Sequence, residues 1–343
     1  MKTPYRRPKP RQAKLQMRDV ARMAGVSAQT VSRYFKNPAL IGQANRDRIA
    51  QVVADTGYFP NPAASSLSAN RTNLIGIIVP TIDHSIFSEM VAGLAEVLER
   101  HNHSLLIAYN AFSLEKEEQL VERFLAYKVA GIVLIGQLHS ERTAQLLRAS
   151  ATPTVELLEI DGPPVDLAIG LSNFSAAQEM TRHLVDCGRR KIGFISAVLS
   201  GNDRVQRRLE GYKAALQSAG LALDRGLVAH AEFKIENGAH AFAQMHALHP
   251  DLDAVISNDI LGLGVQLQCG RMDLSVPEQI AITGFDNLEV SSILEKRLTT
   301  VKIDGHKMGA LAGTKLLEAR DNTLNESKVV DIGYEILWRE TTP

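Results

Sequence analysis

The chain has 343 residues, with 38 basic and 38 acidic side chains and two cysteines. That length suits two or three domains, and a 45% hydrophobic fraction argues against a disordered polymer. Cys187 and Cys269 cannot make a disulfide framework, no Cys/His spacing matches a zinc site, and no apolar run reaches the ~18 residues of a membrane span. The basic N-terminus lacks the apolar stretch of a signal peptide, so a cytoplasmic protein without a membrane segment is expected.

The zero net charge hides an asymmetry. In residues 1–71, four lysines and nine arginines face only Asp19, Asp47 and Asp55, a balance of +10 that leaves −10 on residues 72–343. A basic head on an acidic body points the head at a polyanion, and nucleic acid is the natural one.

Residues 1–14 are rich in Pro and Arg, without an apolar period, and read as a flexible basic arm. Order is expected from residue 15. Arg18 to Ala24 reads as a helix with Val20, Ala21 and Ala24 on one side. Gly25 makes the turn, Val26 plugs it, and Ser27 is an N-cap. A second helix runs from Ala28 to Lys36 and stops before Asn37-Pro38. A third, from about Ala44 to Thr56, turns Ile49, Val52 and Val53 inward and ends at Gly57. Three helices joined this way over residues 15–60 form a helix-turn-helix unit, whose second helix enters the major groove. Gln29 and Arg33, four residues apart, share a face and suit adenine and guanine edges. Thr30, Ser32 and Asn37 suit phosphate oxygens.

Residues 58–73 read as a chain leaving this bundle, with 61–73 as a hinge segment. Asn61-Pro62 is a good helix start, and the following turns are too short to persist alone. Leu67 is their one large apolar residue, and a wedge between base steps is one role for it.

From Leu74 the pattern becomes buried strands alternating with amphipathic helices. The apolar run Leu74–Val79 opens the series, and strands are expected again at 104–108, 131–135, 155–158, 168–170, 191–196, 228–231, 254–257 and 280–285. Helices are expected at 86–100, 114–126, 176–187, 204–219, 237–248 and 260–269. Two successive sets of this kind make two doubly wound α/β lobes with parallel sheets, and a cleft between them is the natural ligand site. Glu156, Asn173, Asn258-Asp259 and Asp286 fall at strand ends. No dinucleotide loop, phosphate loop or nucleophile elbow is present, so neither a cofactor nor a catalytic residue is expected. The close pairs His101/His103 and His246/His249 sit at polar helix ends and suggest no metal site.

Three signatures now carry a resemblance. The first is Arg18-Asp19-Val20-Ala21-Arg22-Met23-Ala24-Gly25-Val26-Ser27 through Arg33. The second is Gly57-Tyr58-Phe59-Pro60-Asn61-Pro62-Ala63-Ala64 with Leu67. The third is Ser257-Asn258-Asp259, then Ile282-Thr283-Gly284-Phe285-Asp286 and Arg297-Leu298-Thr299-Thr300-Val301. From about Met17 to Trp338 the chain resembles the LacI/GalR family of bacterial transcription regulators. The resemblance implies an all-α helix-turn-helix headpiece with a hinge helix, then a two-lobed body like the periplasmic binding proteins over 74–343. The first lobe would span about 74–171 plus 303–331, and the second about 172–302. A homodimer reading a palindromic operator is implied. Ala28, Gln29 and Arg33 then match base-reading positions, and Leu67 the leucine inserted into the minor groove.

The same resemblance implies an effector between the lobes, held by Phe87, Glu156, Arg208, Asn258 and Asp286. Residues 154–157 and 166–177 look most like gluconate-type repressors, which makes gluconate or 2-ketogluconate the lead effector. Arginine suits such a ligand because its planar fork takes a carboxylate bidentately. A regulator answering to a neutral or phosphorylated sugar, and a sugar-acid enzyme with a fused DNA-binding head, stay open alternatives.

Overall fold

Polar caps that start helices and glycines that end them shape the first part of the chain. The computed structural model describes residues 15–59, 72–321 and 328–343. They form two compact units divided between Thr72 and Asn73. The expected arm at 1–14 and most of the hinge segment, including Asn61 and Leu67, lie outside the described residues.

In the first unit, α1 (Met17–Ala24) begins a residue earlier than expected because Gln16 and Asp19 close a reciprocal capping box. Gly25 ends it at φ 62°, a left-handed conformation that glycine adopts without steric cost. α2 (Ala28–Lys36) starts at Ser27, whose Oγ accepts the Thr30 N–H at 3.1 Å. A 3-10 turn over Pro38–Leu40 leads to α3 (Gln43–Thr56), which Gly57 ends. Val20, Ala21, Ala24, Val31 and Ile49 are buried where the helices meet. Val52 and Val53 are only half-buried. Tyr58, read as the first residue leaving the bundle, instead packs into its core with the Phe35 ring 6.0 Å away, because the reversal at Gly57 turns the chain back.

The second unit alternates strand and helix. Its first sheet contains β1 (Leu74–Val79), β2 (Ser104–Tyr109), β3 (Gly131–Ile135), β4 (Thr154–Leu157), β5 (Leu167–Gly170) and, late in the chain, β11 (Val329–Asp331), in the order β11-β5-β4-β3-β1-β2. The second contains β6 (Ile192–Ser196), β7 (Val228–His230), β8 (Ala254–Ser257), β9 (Ala281–Asp286), β10 (Thr299–Lys302) and β12 (Glu335–Leu337), in the order β12-β10-β9-β8-β6-β7. All pairings are parallel except β10 with β12, so the second sheet carries one antiparallel edge that the sequence did not announce.

The helices are α4 (Ser85–Arg100), α5 (Leu114–Ala126), α6 (Glu141–Ser150), α7 (Asn173–Asp186), α8 (Asp203–Ser218), α9 (Ile235–Leu248), α10 (Asp259–Arg271) and α11 (Gly305–Arg320). Neither α6 nor α11 was expected. α11 buries Gly305, Gly309 and Gly313 along its packed side, which blurs its apolar stripe. α6 buries only Thr143 and Leu147, too thin a stripe to read as an amphipathic period. The chain passes between the lobes after β5, after β10 and after β11. Residues 335–343, which the sequence reading assigns to neither lobe, belong to the second. The Thr341 hydroxyl donates to the Ile282 carbonyl at 2.7 Å and accepts from the Thr299 amide at 2.9 Å. The largest core lies under the first sheet and continues into Ala176, Met180, Phe285 and Val301. No helix among the described residues is long and apolar enough to cross a membrane.

α4 and α11 pack backbone to backbone. A Cβ on Gly309 would stand 1.9 Å from the Met90 carbonyl oxygen, and one on Gly93 2.0 Å from that of His306. Gly309→Val is therefore expected to destabilise the unit by about 2–3 kcal/mol, seen as a lower Tm. Gly270, on α10, meets open space. Gly270→Ala is expected to raise stability by about 0.5–1 kcal/mol through helix propensity, and a loss there would contradict the packing described.

Candidate functional site

On the headpiece, α2 presents Gln29 and Arg33 to solvent on one face. Among the described residues neither side chain makes a hydrogen bond or ion pair. The other described arginines of this unit are engaged: Arg18 with Gln16, Arg22 with Asp19, Arg46 with the Ile41 carbonyl and Arg48 with Asn45. Ser27 and Asn37 are exposed, while Ala28 and Ser32 are half-buried. The Thr30 hydroxyl is tied to Ser27 Oγ at 2.8 Å, so it serves the cap as well as the surface.

In the body, the cleft between the lobes gathers around Arg208 of α8. The Arg208 side chain is 13% exposed, and its Nε donates to Asn173 Oδ1 at 2.9 Å. Its Nη2 lies 3.7 Å from Asp286 Oδ1, and its guanidinium carbon is 3.4 Å from the centroid of Phe285. Burial pulls the guanidinium down to about 10, against the charge of Asp286, which raises it. Asn173 is itself fixed by donating to the Leu158 carbonyl at 2.7 Å and to Glu159 at 3.0 Å. Asn258 begins α10, with Oδ1 accepting from Leu261 N–H at 3.2 Å. Its Nδ2 is buried with no partner among the described residues and lines the same cavity as Arg208.

Asp286 ends β9 at φ 100°, and Asn287 follows at φ 52°. Two successive non-glycine residues with positive φ store strain of about 1–3 kcal/mol each, a cost that marks a functional turn. Beside them Asp259 accepts from Thr300 Oγ1 at 2.6 Å and from Leu288 N–H at 2.7 Å, yet burial pushes its carboxyl up to about 7. The cavity at Arg208 leaves about 20 Å³ for a water-sized sphere, enough for roughly one water. A neighbouring cavity of about 530 Å³ is lined by His84, Phe112, Leu288 and Glu289, and Phe233 lines both. A ligand larger than a water entering beside Arg208 must therefore move this wall.

The five residues expected to hold the effector do not all converge. Arg208, Asn258 and Asp286 come together, and Phe87 reaches them through His84, whose ring is 5.7 Å from Phe87 and 3.5 Å from Asp286. Glu156 does not. Val155 and Leu157 of β4 enter the first core, so strand alternation turns Glu156 to the opposite face. There it accepts from Val165 N–H at 2.8 Å and binds His139 Nε2 at 3.0 Å, while His139 Nδ1 binds Glu117 at 2.6 Å. Glu156 is a member of a buried Glu–His–Glu set and is withdrawn from the effector residues.

His84, Phe112 and Phe233 were not singled out by the sequence. They lie just before α4, just after β2 and in the β7–α9 connection, where no apolar period marks a side chain. The lobes also touch at the rim, where Gln137 N–H donates to Asp203 at 2.5 Å and Arg204 to the Ile135 carbonyl at 3.2 Å.

A helix-turn-helix unit followed by a two-lobed body with a polar cleft defines a DNA-binding transcriptional regulator. Residues 16–61 match the family described as bacterial regulatory proteins, lacI family, and residues 181–342 match a periplasmic binding protein-like domain. The chain is 30% identical over 321 residues to the HTH-type transcriptional regulator GntR of Escherichia coli K12, covering 93% of this chain and 96% of that one. It is 31% identical to the regulator IdnR of the same organism, covering 96% and 99%. A solved LacI family transcriptional regulator from Silicibacter pomeroyi superposes with a TM-score of 0.87 at 28% identity, over 95% of this chain and 99% of that one. The chain belongs to the lacI family of bacterial regulatory proteins.

The Glu117–His139–Glu156 set gives a stability test that needs no ligand. Burial disfavours the His139 imidazolium, but hydrogen bonds and charge from Glu117 and Glu156 outweigh it and hold the group at about 10. A folded value above the unfolded one of ~6.5 contributes stability fully present below that pH and lost as pH rises through about 10. His139→Gln is expected to cost about 3 kcal/mol near pH 6, because two buried carboxylates lose their cation. The Tm gap to the parent should narrow toward pH 10; a gap independent of pH would contradict a charged His139.

Proposed function

We propose that the chain is a repressor of sugar-acid catabolism genes, released from a palindromic operator when gluconate or 2-ketogluconate binds between the lobes. The observation that carries the reading is the buried Arg208 guanidinium. It is fixed by Asn173 and Phe285, faces Asp286 without a close hydrogen bond, and shares its cavity with Asn258, whose Nδ2 has no partner among the described residues. A carboxylate is the ligand group that best matches a desolvated arginine fork. The likeness of residues 166–177 to gluconate-type repressors supports it, since Asn173 lies in that stretch and holds Arg208. A neutral or phosphorylated sugar is the alternative occupant.

The DNA half of the reading rests on Gln29 and Arg33. A homodimer would place two copies of α2 on successive half-sites, with Leu67 at the centre of the operator. The work would take place in the cytoplasm, on the chromosome. Effector binding shifts operator affinity only through its differential affinity for two arrangements of the lobes. The rim contacts from Asp203 and Arg204 to the first lobe favour one of them.

Arg33→Ala is expected to weaken operator binding by about 1–3 kcal/mol and relax preference at one base position per half-site. Measuring binding to a set of single-base operator variants checks this, and equal weakening on every sequence would assign Arg33 to phosphate. Arg208→Ala is expected to abolish release by sugar acids in the same assay. An unchanged effector affinity would remove Arg208 from the site.

A further inference from the structure

We infer that His84 is a second carboxylate donor of the cleft and decides its preference for acids over the matching polyols. The inference rests on the sugar-acid reading above and names the residue that would make it selective. His84 stands just before α4, in N-cap position, yet its side chain makes no cap hydrogen bond. Only 8% of the residue is exposed, and neither ring nitrogen has a hydrogen-bond partner among the described residues. A buried imidazole without partners is costly unless a ligand supplies them.

The ring is wedged between Phe87 and Phe233, whose centroids lie 5.7 and 5.3 Å away, and it lines the larger cavity. Its Nε2 is 3.5 Å from Asp286 Oδ2, while Arg208 Nη2 is 3.7 Å from Asp286 Oδ1. Both distances are longer than charge-assisted hydrogen bonds. One carboxylate thus stands loosely between two nitrogen donors, His84 from the first lobe and Arg208 from the second. A ligand carboxylate placed between them would bond both lobes at once.

The charges around the cleft explain why a second donor is needed. Asp286 lies on β9, Glu89 on α4 faces both Asp286 and His84, and Asp83 and Glu289 line the larger cavity. Burial first, then Asp304 and Asp286, push the Glu89 carboxyl up, which reports how acidic this wall is. Arg208 alone, already spent in part on Asp286, leaves an incoming carboxylate facing like charges. His84 supplies the remaining donor. A neutral polyol has no carboxylate to place between the two donors.

The test uses the full chain, with gluconate and 2-ketogluconate as probes and glucitol as the uncharged counterpart of gluconate. Binding is measured by calorimetry on the parent, His84→Gln and His84→Lys, with the ligand-free Tm showing that each variant is folded. His84→Gln is expected to lose at least about tenfold in affinity for the acids and little for glucitol, whereas His84→Lys, which supplies an ammonium donor, retains acid affinity within a few-fold. Equal losses in both variants, or for acid and polyol alike, would reduce His84 to a wall of the pocket and overturn the inference. So would unchanged acid affinity in His84→Gln. A parent chain that binds neither acid overturns the sugar-acid reading itself, and the inference with it.

Discussion

A buried guanidinium needs company, and the cleft of this protein is organised by that requirement. Arg208 is taken out of water on α8 and has to be satisfied by groups from elsewhere: Asn173 from the start of α7, the face of Phe285, and Asp286 at the strained end of β9. Each of these is fixed in turn. Asn173 is clamped to Leu158 and Glu159 at the passage between the lobes, and Asp286 sits beside an Asp259 that ties β10 to the turn after β9. The set therefore links the hinge of the body to its ligand-facing wall. Arg208 is nonetheless incompletely paired, which leaves it available to an anion.

The headpiece shows the complementary logic. Its other described arginines are spent on holding helices, through Asp19, Asn45, Gln16 and the Ile41 carbonyl, while the exposed face of α2 keeps Gln29 and Arg33 without a partner among the described residues. A surface meant only for solubility has no reason to divide its cations this way. The cap at Ser27 and the reversals at Gly25 and Gly57 set the direction of α2, so local sequence chemistry aims the two free side chains.

Much of this was legible in the sequence because it is local. Caps, left-handed glycines and continuous apolar strands announce themselves within a few residues, and the headpiece and the succession of strands and helices follow from them. What escaped was mostly short or non-local, together with α11, whose buried Gly305, Gly309 and Gly313 blur its apolar period. β12 has three residues and pairs antiparallel with β10 only because the chain crosses between lobes a third time, and α6 buries too thin a stripe to show a period. In the cleft, Arg208, Asn258 and Asp286 were found through family likeness, since no spacing in the chain brings them together. His84, Phe112 and Phe233 carry no local signal, and topology alone assembles them. Glu156 failed for a plainer reason: alternation along β4 shows that it opposes Val155 and Leu157, but which face meets the cleft depends on the packing of the sheet.

In the proposed reading the body binds a sugar acid at Arg208. Thermal unfolding of the full chain against gluconate, 2-ketogluconate and glucuronate, with glucose and ribose as controls, tests it most directly. A bound acid at ~100 times its Kd should add ~2.7 kcal/mol of stability, a clear rise in Tm. A rise with one of the acids and none with the neutral sugars is the expected result. A rise with a neutral sugar alone would contradict the account and reassign the cleft to an uncharged ligand.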